Sequence, residues 1–266
     1  MSTALRFTAT SMPPMRARER LYCTLTEGGN KIVPRVATEY YKRDFWIEEN
    51  VKYAKPHFRM EKAARIVNRV AGGKECDLLD VGCGPAALMH LLHGNIHYYG
   101  IDIAIRRPAP NLIETDFLEA PIQFGDKQFD IVLAQGVFEY TGNFQSQKFS
   151  EIARLLSAGG TFIVSYVNFN HRDKRVYWPY SNVQSFEDFH HSLGQVFHIH
   201  RFFPTSHHWH HHEPNRQFMK TLQMHINMNI PLISRKLAVE YFFICSLKHK
   251  AKLTASVRAI APAAHS

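Results

Sequence analysis

Asp80, Gly82, Cys83 and Gly84 close an apolar run that begins at Leu78, and Pro85 and Ala86 follow them. An apolar strand that delivers two glycines spaced by one residue into a following helix lets a ligand approach bare backbone at the carboxyl edge of a sheet. Such an edge suits a nucleotide-bearing ligand. Asp80 narrows the choice, because a dinucleotide brings a pyrophosphate onto the helix N-terminus and a carboxylate two residues before Gly82 would repel it. A carboxylate there suits a cation. Pattern alone still admits a dinucleotide, since Gly82, Gly84 and Ala87 satisfy G-x-G-x-x-G/A. Eighteen residues beyond Gly84, Asp102 ends the next apolar run, where a carboxylate can accept both hydroxyls of a ribose.

The cofactor with a nucleoside at one end and a cationic amino-acid group at the other is S-adenosylmethionine. On these residues the chain resembles the class I S-adenosylmethionine-dependent methyltransferases. Recognisable motifs carry the resemblance over residues 58–167, and strand pattern alone extends it to about 247. Its style is that of the small-molecule branch that includes the ubiquinone-biosynthesis and MetW-like enzymes. The resemblance implies an α/β fold, a Rossmann-like doubly wound sheet of seven mostly parallel strands with an antiparallel last pair. It also implies that Asp80 holds the cofactor's ammonium while Gly82, Cys83 and Gly84 line its amino-acid end. Asp102 would hold the ribose, Ile103 would pack on the adenine, and Asp116 with Phe117 would bond its amino group and cover its ring. Gln135 and Gly136 would face the sulfonium. The family's third glycine is Ala86 here, and for Asp116 the capping of a turn is the competing reading.

Methyl transfer asks little of acids and bases, because the sulfonium is already an excellent leaving group and positioning and desolvation carry most of the rate. A hydroxyl acceptor would benefit from a base near neutral pKa. His171, four residues beyond the fifth strand, is one candidate, with Glu139 and Tyr140 as rivals just after the fourth. The run His207-His208-Trp209-His210-His211-His212-Glu213, with His198 and His200 upstream, contains ligand-type residues. Histidines this dense on a loop satisfy almost any spacing rule, so a polar, substrate-facing wall without metal is expected.

Several elements must hold these residues. Helical spacing of Met60, Ala63, Ala64, Val67 and Val70 predicts a helix over 57–71, stopped by Gly72-Gly73. Strands are predicted at Asp77–Val81, His97–Ile103, Leu112–Thr115 and Phe129–Ala134, with a helical segment after Pro85. A helix from about Gln145 to Leu156 should end at Ala158-Gly159-Gly160, before a strand Thr161–Val167. Alternating strands and helices argue for a parallel sheet covered on both faces. Residues 168–195 break the rhythm and read as an irregular insertion; after them come strands at Val196–Phe203 and Ala238–Leu247 and a helical stretch near 215–225.

The formal charge of +9 resides in the ends. Residues 1–56 hold ten Lys and Arg against six Asp and Glu, residues 246–266 hold four against none, and the rest is nearly balanced. Basic tails around a neutral core argue against nucleic acid as substrate. Four cysteines, Cys23, Cys76, Cys83 and Cys245, include no Cys-x-x-Cys pair and fit a reducing compartment. With no long apolar run and no signal-peptide core, a cytoplasmic protein that does not engage a membrane is expected. The chain divides into an irregular extension over 1–36, a methyltransferase domain over 37–247 with a substrate-covering insertion over 168–215, and a disordered basic tail over 248–266. The expected function is transfer of methyl from S-adenosylmethionine to a small molecule, most simply to oxygen in a biosynthetic pathway. N- or C-methylation, a non-catalytic cofactor-binding regulator and a nicotinamide oxidoreductase are the alternatives. Oligomeric state leaves no mark in the sequence.

Overall fold

The structure is a computed structural model, and it describes residues 43–118, 121–168, 184–208, 223–224 and 229–248. Two segments precede the sheet: α1 (Arg43–Glu49), continued by a 3₁₀ turn over Asn50–Tyr53, and α2 (Phe58–Ala71). Gly72 ends α2 in the left-handed conformation, φ 59°, and donates its N–H to Asn68 O, as the Gly-Gly stop implied. The strands are β1 (Cys76–Val81), β2 (Ile96–Asp102), β3 (Leu112–Glu114), β4 (Phe129–Ala134), β5 (Leu156–Val167), β6 (Phe197–His208), β7 (Gln223–Met224) and β8 (Ala238–Leu247). They lie in the order β3-β2-β1-β4-β5-β8-β6-β7. β1 to β5 pair in parallel, whereas β8 runs antiparallel to both β5 and β6. The sheet is the expected seven strands plus β7, a two-residue edge strand paired with His207 and His208.

Both faces are covered. On one, Met60, Ala63, Ala64 and Val67 of α2 pack on Leu78, Ile131, Leu133 and Phe242. On the other, α3 (Gln145–Leu155) and α4 (Phe186–Val196) bring Phe149, Ile152, Phe189 and Leu193 onto Val132, Phe162, Val164 and Phe243. Phe138 stacks on Phe149 with centroids 4.7 Å apart. Burial of such aromatics, at roughly 25 cal/mol per Å² of apolar surface, dominates the stability of this layer.

Four expectations need correction. The helical segment expected after Pro85 is a 3₁₀ helix of five residues, Ala87–Leu91, and not an α-helix. Residues 186–195, read as irregular, and Val196, read as the start of a strand, form α4, whose start is capped by Ser185 Oγ accepting from Asp188 N–H. The Gly159-Gly160 turn falls inside β5, where the register against β4 jumps between Phe129↔Leu156 and Ile131↔Thr161. Finally, β6 runs on to His208, and residues 223–224 of the expected 215–225 helix are strand. A further helix, α5 (Pro231–Leu237), leads into β8; Asn168 Nδ2 donates to Ala238 O at 2.8 Å and Arg235 O at 3.1 Å, closing its C-terminal end. No helix among the described residues is long and apolar enough to cross a membrane.

Candidate active site

The carboxyl ends of β1, β2, β3 and β4 open into a cavity of about 310 Å³. Asp80, Gly82, Cys83, Gly84, Asp102, Ile103, Asp116, Phe117, Gln135 and Glu139 all line it. His171 lies outside the described residues, as do His210, His211 and His212.

The glycine turn is wired to β2. Gly82 N–H and Cys83 N–H both donate to Ile101 O, at 2.8 and 3.0 Å, and Gly84 N–H donates to Asp102 Oδ2 at 2.8 Å. Gly82 and Gly84 take φ 74° and 53°, and Ala86 takes 55°, the one positive φ at a non-glycine among the described residues. Ala86, where the resemblance led one to expect a glycine, thus holds a left-handed conformation at a cost of roughly 1–2 kcal/mol. Gly82 has no such latitude, because a Cβ would overlap Val137 Cγ2. Gly82→Ala is expected to cost about 2 kcal/mol through strain and overpacking and to lower Tm by roughly 4–8 °C. An unchanged melting curve would show that the turn can shift.

Asp80 is 5% exposed and accepts the Tyr98 hydroxyl at 2.8 Å. Burial pushes its carboxyl up to about 7, with the Tyr98 bond pulling down and Asp102 pushing up. Asp102 is raised chiefly by burial, against donors from Ala104 N–H and Gly84 N–H. Asn50, which sequence reasoning did not single out, caps this corner: its Nδ2 donates to Asp102 Oδ1 at 3.4 Å and to Ala104 O at 3.2 Å. Asp116 Oδ1 accepts Leu118 N–H at 2.8 Å, so it does cap its turn while lining the cavity.

The β4 side of the cavity is different in kind. Arg59, in the first turn of α2, donates Nε and Nη2 to the two oxygens of Glu240 on β8, at 2.8 and 2.5 Å. Glu240 is 1% exposed. Glu139 is also buried; its Oε1 accepts Val167 N–H at 3.0 Å and its Oε2 has no partner among the described residues. Burial first, then Glu240, push the Glu139 carboxyl up to about 7, with Arg59 opposing. Trp46 packs edge-on to Tyr140 at 5.8 Å, and Tyr53 lies 5.8 Å from His57. Burial, then Arg59, lower the His57 pKa and favour the neutral ring. Arg59 and His57 were missed, although Arg59 sits four residues before Ala63 on the buried stripe of α2, a place where a charge signals a partner.

Of the histidine run, His207 is in the core instead of on a loop: it is fully buried in β6, with Nε2 2.8 Å from Ser234 Oγ. Among the described residues no group of three His, Cys, Asp or Glu is placed to hold a metal ion.

Comparison with known proteins bears on the chemistry of this cavity. The description "Methyltransferase domain" matches residues 79–164, from β1 through most of β5. The chain carries an S-adenosylmethionine-dependent methyltransferase domain. Curated protein sequences give no match. Among solved structures, a chain from the complex of the Haloferax volcanii Trm112 methyltransferase activator with a methyltransferase superposes with TM-score 0.55 at 17% identity, covering 80% of this chain and 98% of that one. The N-methyltransferase NodS of Bradyrhizobium japonicum with S-adenosylhomocysteine gives 0.48 at 10% identity, over 76% and 98%. The first shows that the methyltransferase shares the fold. Its own cavity fits S-adenosylmethionine better than a dinucleotide. A pyrophosphate needs free backbone N–H groups and a helix N-terminus, and here the turn's N–H groups are taken by β2 and only a 3₁₀ turn follows.

Proposed function

We propose that the methyltransferase transfers methyl from S-adenosylmethionine to a small-molecule acceptor bound on the β4 side of the cavity. The observation that carries this reading is the acidic, internally bonded edge of β1 and β2, which offers carboxylates and no anion cradle. In this reading Asp80 holds the ammonium and Gly82, Cys83 and Gly84 flank the amino-acid end. Asp102 with Asn50 holds the ribose, Ile103 and Phe117 sandwich the adenine, Asp116 bonds its amino group, and Gln135 faces the sulfonium. S-adenosylmethionine supplies an activated methyl group; the chain supplies alignment, exclusion of water and a proton acceptor. Trp46, Tyr53 and Tyr140 would shelter the acceptor. The resemblance to the small-molecule branch and the nearly neutral central sequence favour a metabolite over nucleic acid. Free thiols at Cys76, Cys83 and Cys245 agree with a reducing, cytoplasmic setting. Sequence alone expects a hydroxyl acceptor, but Glu139 can serve a hydroxyl or an amine, and the wall around it bears on that choice.

The test uses the titration of Asp80. Its folded pKa, about 7, lies above the ordinary carboxyl value of 3.8. In the free protein this group therefore adds stability that is fully present below the unfolded pKa and lost as pH rises through about 7. A cation favours the ionised form, so cofactor affinity should run the other way, tightening up to about tenfold between roughly pH 6 and 8. Calorimetry with S-adenosylmethionine should show this rise, and Asp80→Asn should flatten it. Tighter binding of NAD than of S-adenosylmethionine would overturn the reading.

A further inference from the structure

Glu139 is 3% exposed in a wall of the cavity, and its Oε2 is sheltered from water without a hydrogen-bond donor among the described residues. A buried polar group left unmatched selects for a ligand that matches it and rejects analogues that cannot. The charges around it say which match. Asp80, Asp102, Asp116 and Glu139 line the cavity, and Arg59 is the one Lys or Arg among the described lining residues. Glu240 already holds the Nε and Nη2 of that guanidinium. His57 is biased toward its neutral form by burial and by Arg59. A carboxylate or phosphate acceptor would enter facing carboxylates with no unneutralised cation to receive it. An alcohol would meet the hydrogen-bonding need of Oε2 and leave the charge unbalanced. A protonated amine meets both, and the Trp46, Tyr53 and Tyr140 rings in the same lining are the side chains that stabilise an ammonium on their faces.

We propose that the methyl acceptor is a small primary or secondary amine, received as its ammonium ion and deprotonated by Glu139. This rests on the reading of the cavity as a methyl-transfer site. One N–H proton of the ammonium passes to the Glu139 carboxylate, giving a neutral amine and a carboxylic acid. The nitrogen lone pair then forms the N–C bond to the methyl carbon as the C–S bond breaks, and the bonding pair of that bond stays on sulfur. The product is the methylated ammonium ion beside neutral S-adenosylhomocysteine sulfur, so charge and atoms balance without a further reactant.

Benzylamine, benzyl alcohol and benzoate share one ring and differ in the group presented to Glu139. Calorimetry on the full chain saturated with S-adenosylhomocysteine should find benzylamine bound at least tenfold more tightly than benzyl alcohol, with benzoate weakest. In Glu139→Gln the advantage of the amine over the alcohol should shrink to within threefold, with S-adenosylhomocysteine affinity within threefold of the parent. Benzyl alcohol or benzoate equal to or tighter than benzylamine on the parent protein, or no measurable benzylamine binding at millimolar concentration, would overturn the proposal whether or not the variant folds. An amine preference that persists in Glu139→Gln would overturn the role of that carboxylate. Failure of S-adenosylhomocysteine to bind at all would instead strike the cofactor reading, and the two failures are read in separate titrations.

Discussion

Arg59→Met is expected to destabilise the protein by about 3 kcal/mol, the lower end of the range for removing one partner from a buried ion pair. Glu240 would be left 1% exposed without the guanidinium that holds both its oxygens. Arg59 keeps 31% of its side chain on the cavity, so some of the lost pairing is replaced by water, which is why the lower end applies. The double variant Arg59→Met with Glu240→Met removes both charges and should recover most of the loss, since apolar replacement of a buried pair is often neutral or better. Urea unfolding at neutral pH measures both. A loss under about 1 kcal/mol in the single variant would mean that water reaches Glu240 and that the pair behaves as a surface one. The pair links the first turn of α2 to β8, across 181 residues of sequence, so its loss should also separate the two walls between which the acceptor is proposed to sit.

Asp102→Ala carries the second large effect, and it has two parts. Loss of charge-assisted hydrogen bonds to a ribose should weaken S-adenosylmethionine by about 1.5–3 kcal/mol, roughly 10- to 150-fold. Independently, Gly84 N–H and Ala104 N–H lose their acceptors, at 2.8 and 2.9 Å. Both bonds are part-buried, so water offsets some of the roughly 1–3 kcal/mol that a fully buried orphaned donor costs, and the ligand-free protein should melt earlier by a smaller margin. Asp102→Asn keeps one acceptor oxygen and should separate the parts, retaining more stability than affinity. Calorimetry together with a melting curve reads the two outcomes; an unchanged dissociation constant in a folded Asp102→Ala variant would place the ribose elsewhere.

The strands that frame the cofactor end were legible because each is an apolar run bounded by Gly, Asp or Asn, and β4 and β8 fall on their expected residues. The carboxyl-edge residues Asp80, Gly82, Gly84 and Asp102 were legible for the same reason: local spacing alone places them at strand ends. On the acceptor side Glu139 and Tyr140 were legible in the same way, just after β4, but the ion pair beside them was not. Arg59 and Glu240 meet only through tertiary packing, and no local pattern announces a partner 181 residues away. The helix α4 was available to a closer reading, for Phe186, Phe189, Leu193 and Val196 hold helical spacing behind a Ser185 cap with Asp188 three residues on. Its aromatic content drew attention to function at the expense of period. His207 misled in the opposite sense. Its neighbours made it look like part of a polar run, whereas β6 carries it, with Thr205 and Ser206, into the interior against Ser234.

The glycine turn after β1 closes its hydrogen bonds on β2, and this decides when in the life of the chain the site comes into being. A turn whose N–H groups awaited a ligand would stay frayed until that ligand arrived, and ordering it would subtract from the affinity. Here Ile101 O and Asp102 Oδ2 complete the turn as soon as β1 and β2 pair. In newly made protein this turn can therefore form in the absence of cofactor, and each exchange of spent for fresh cofactor meets a turn already in place.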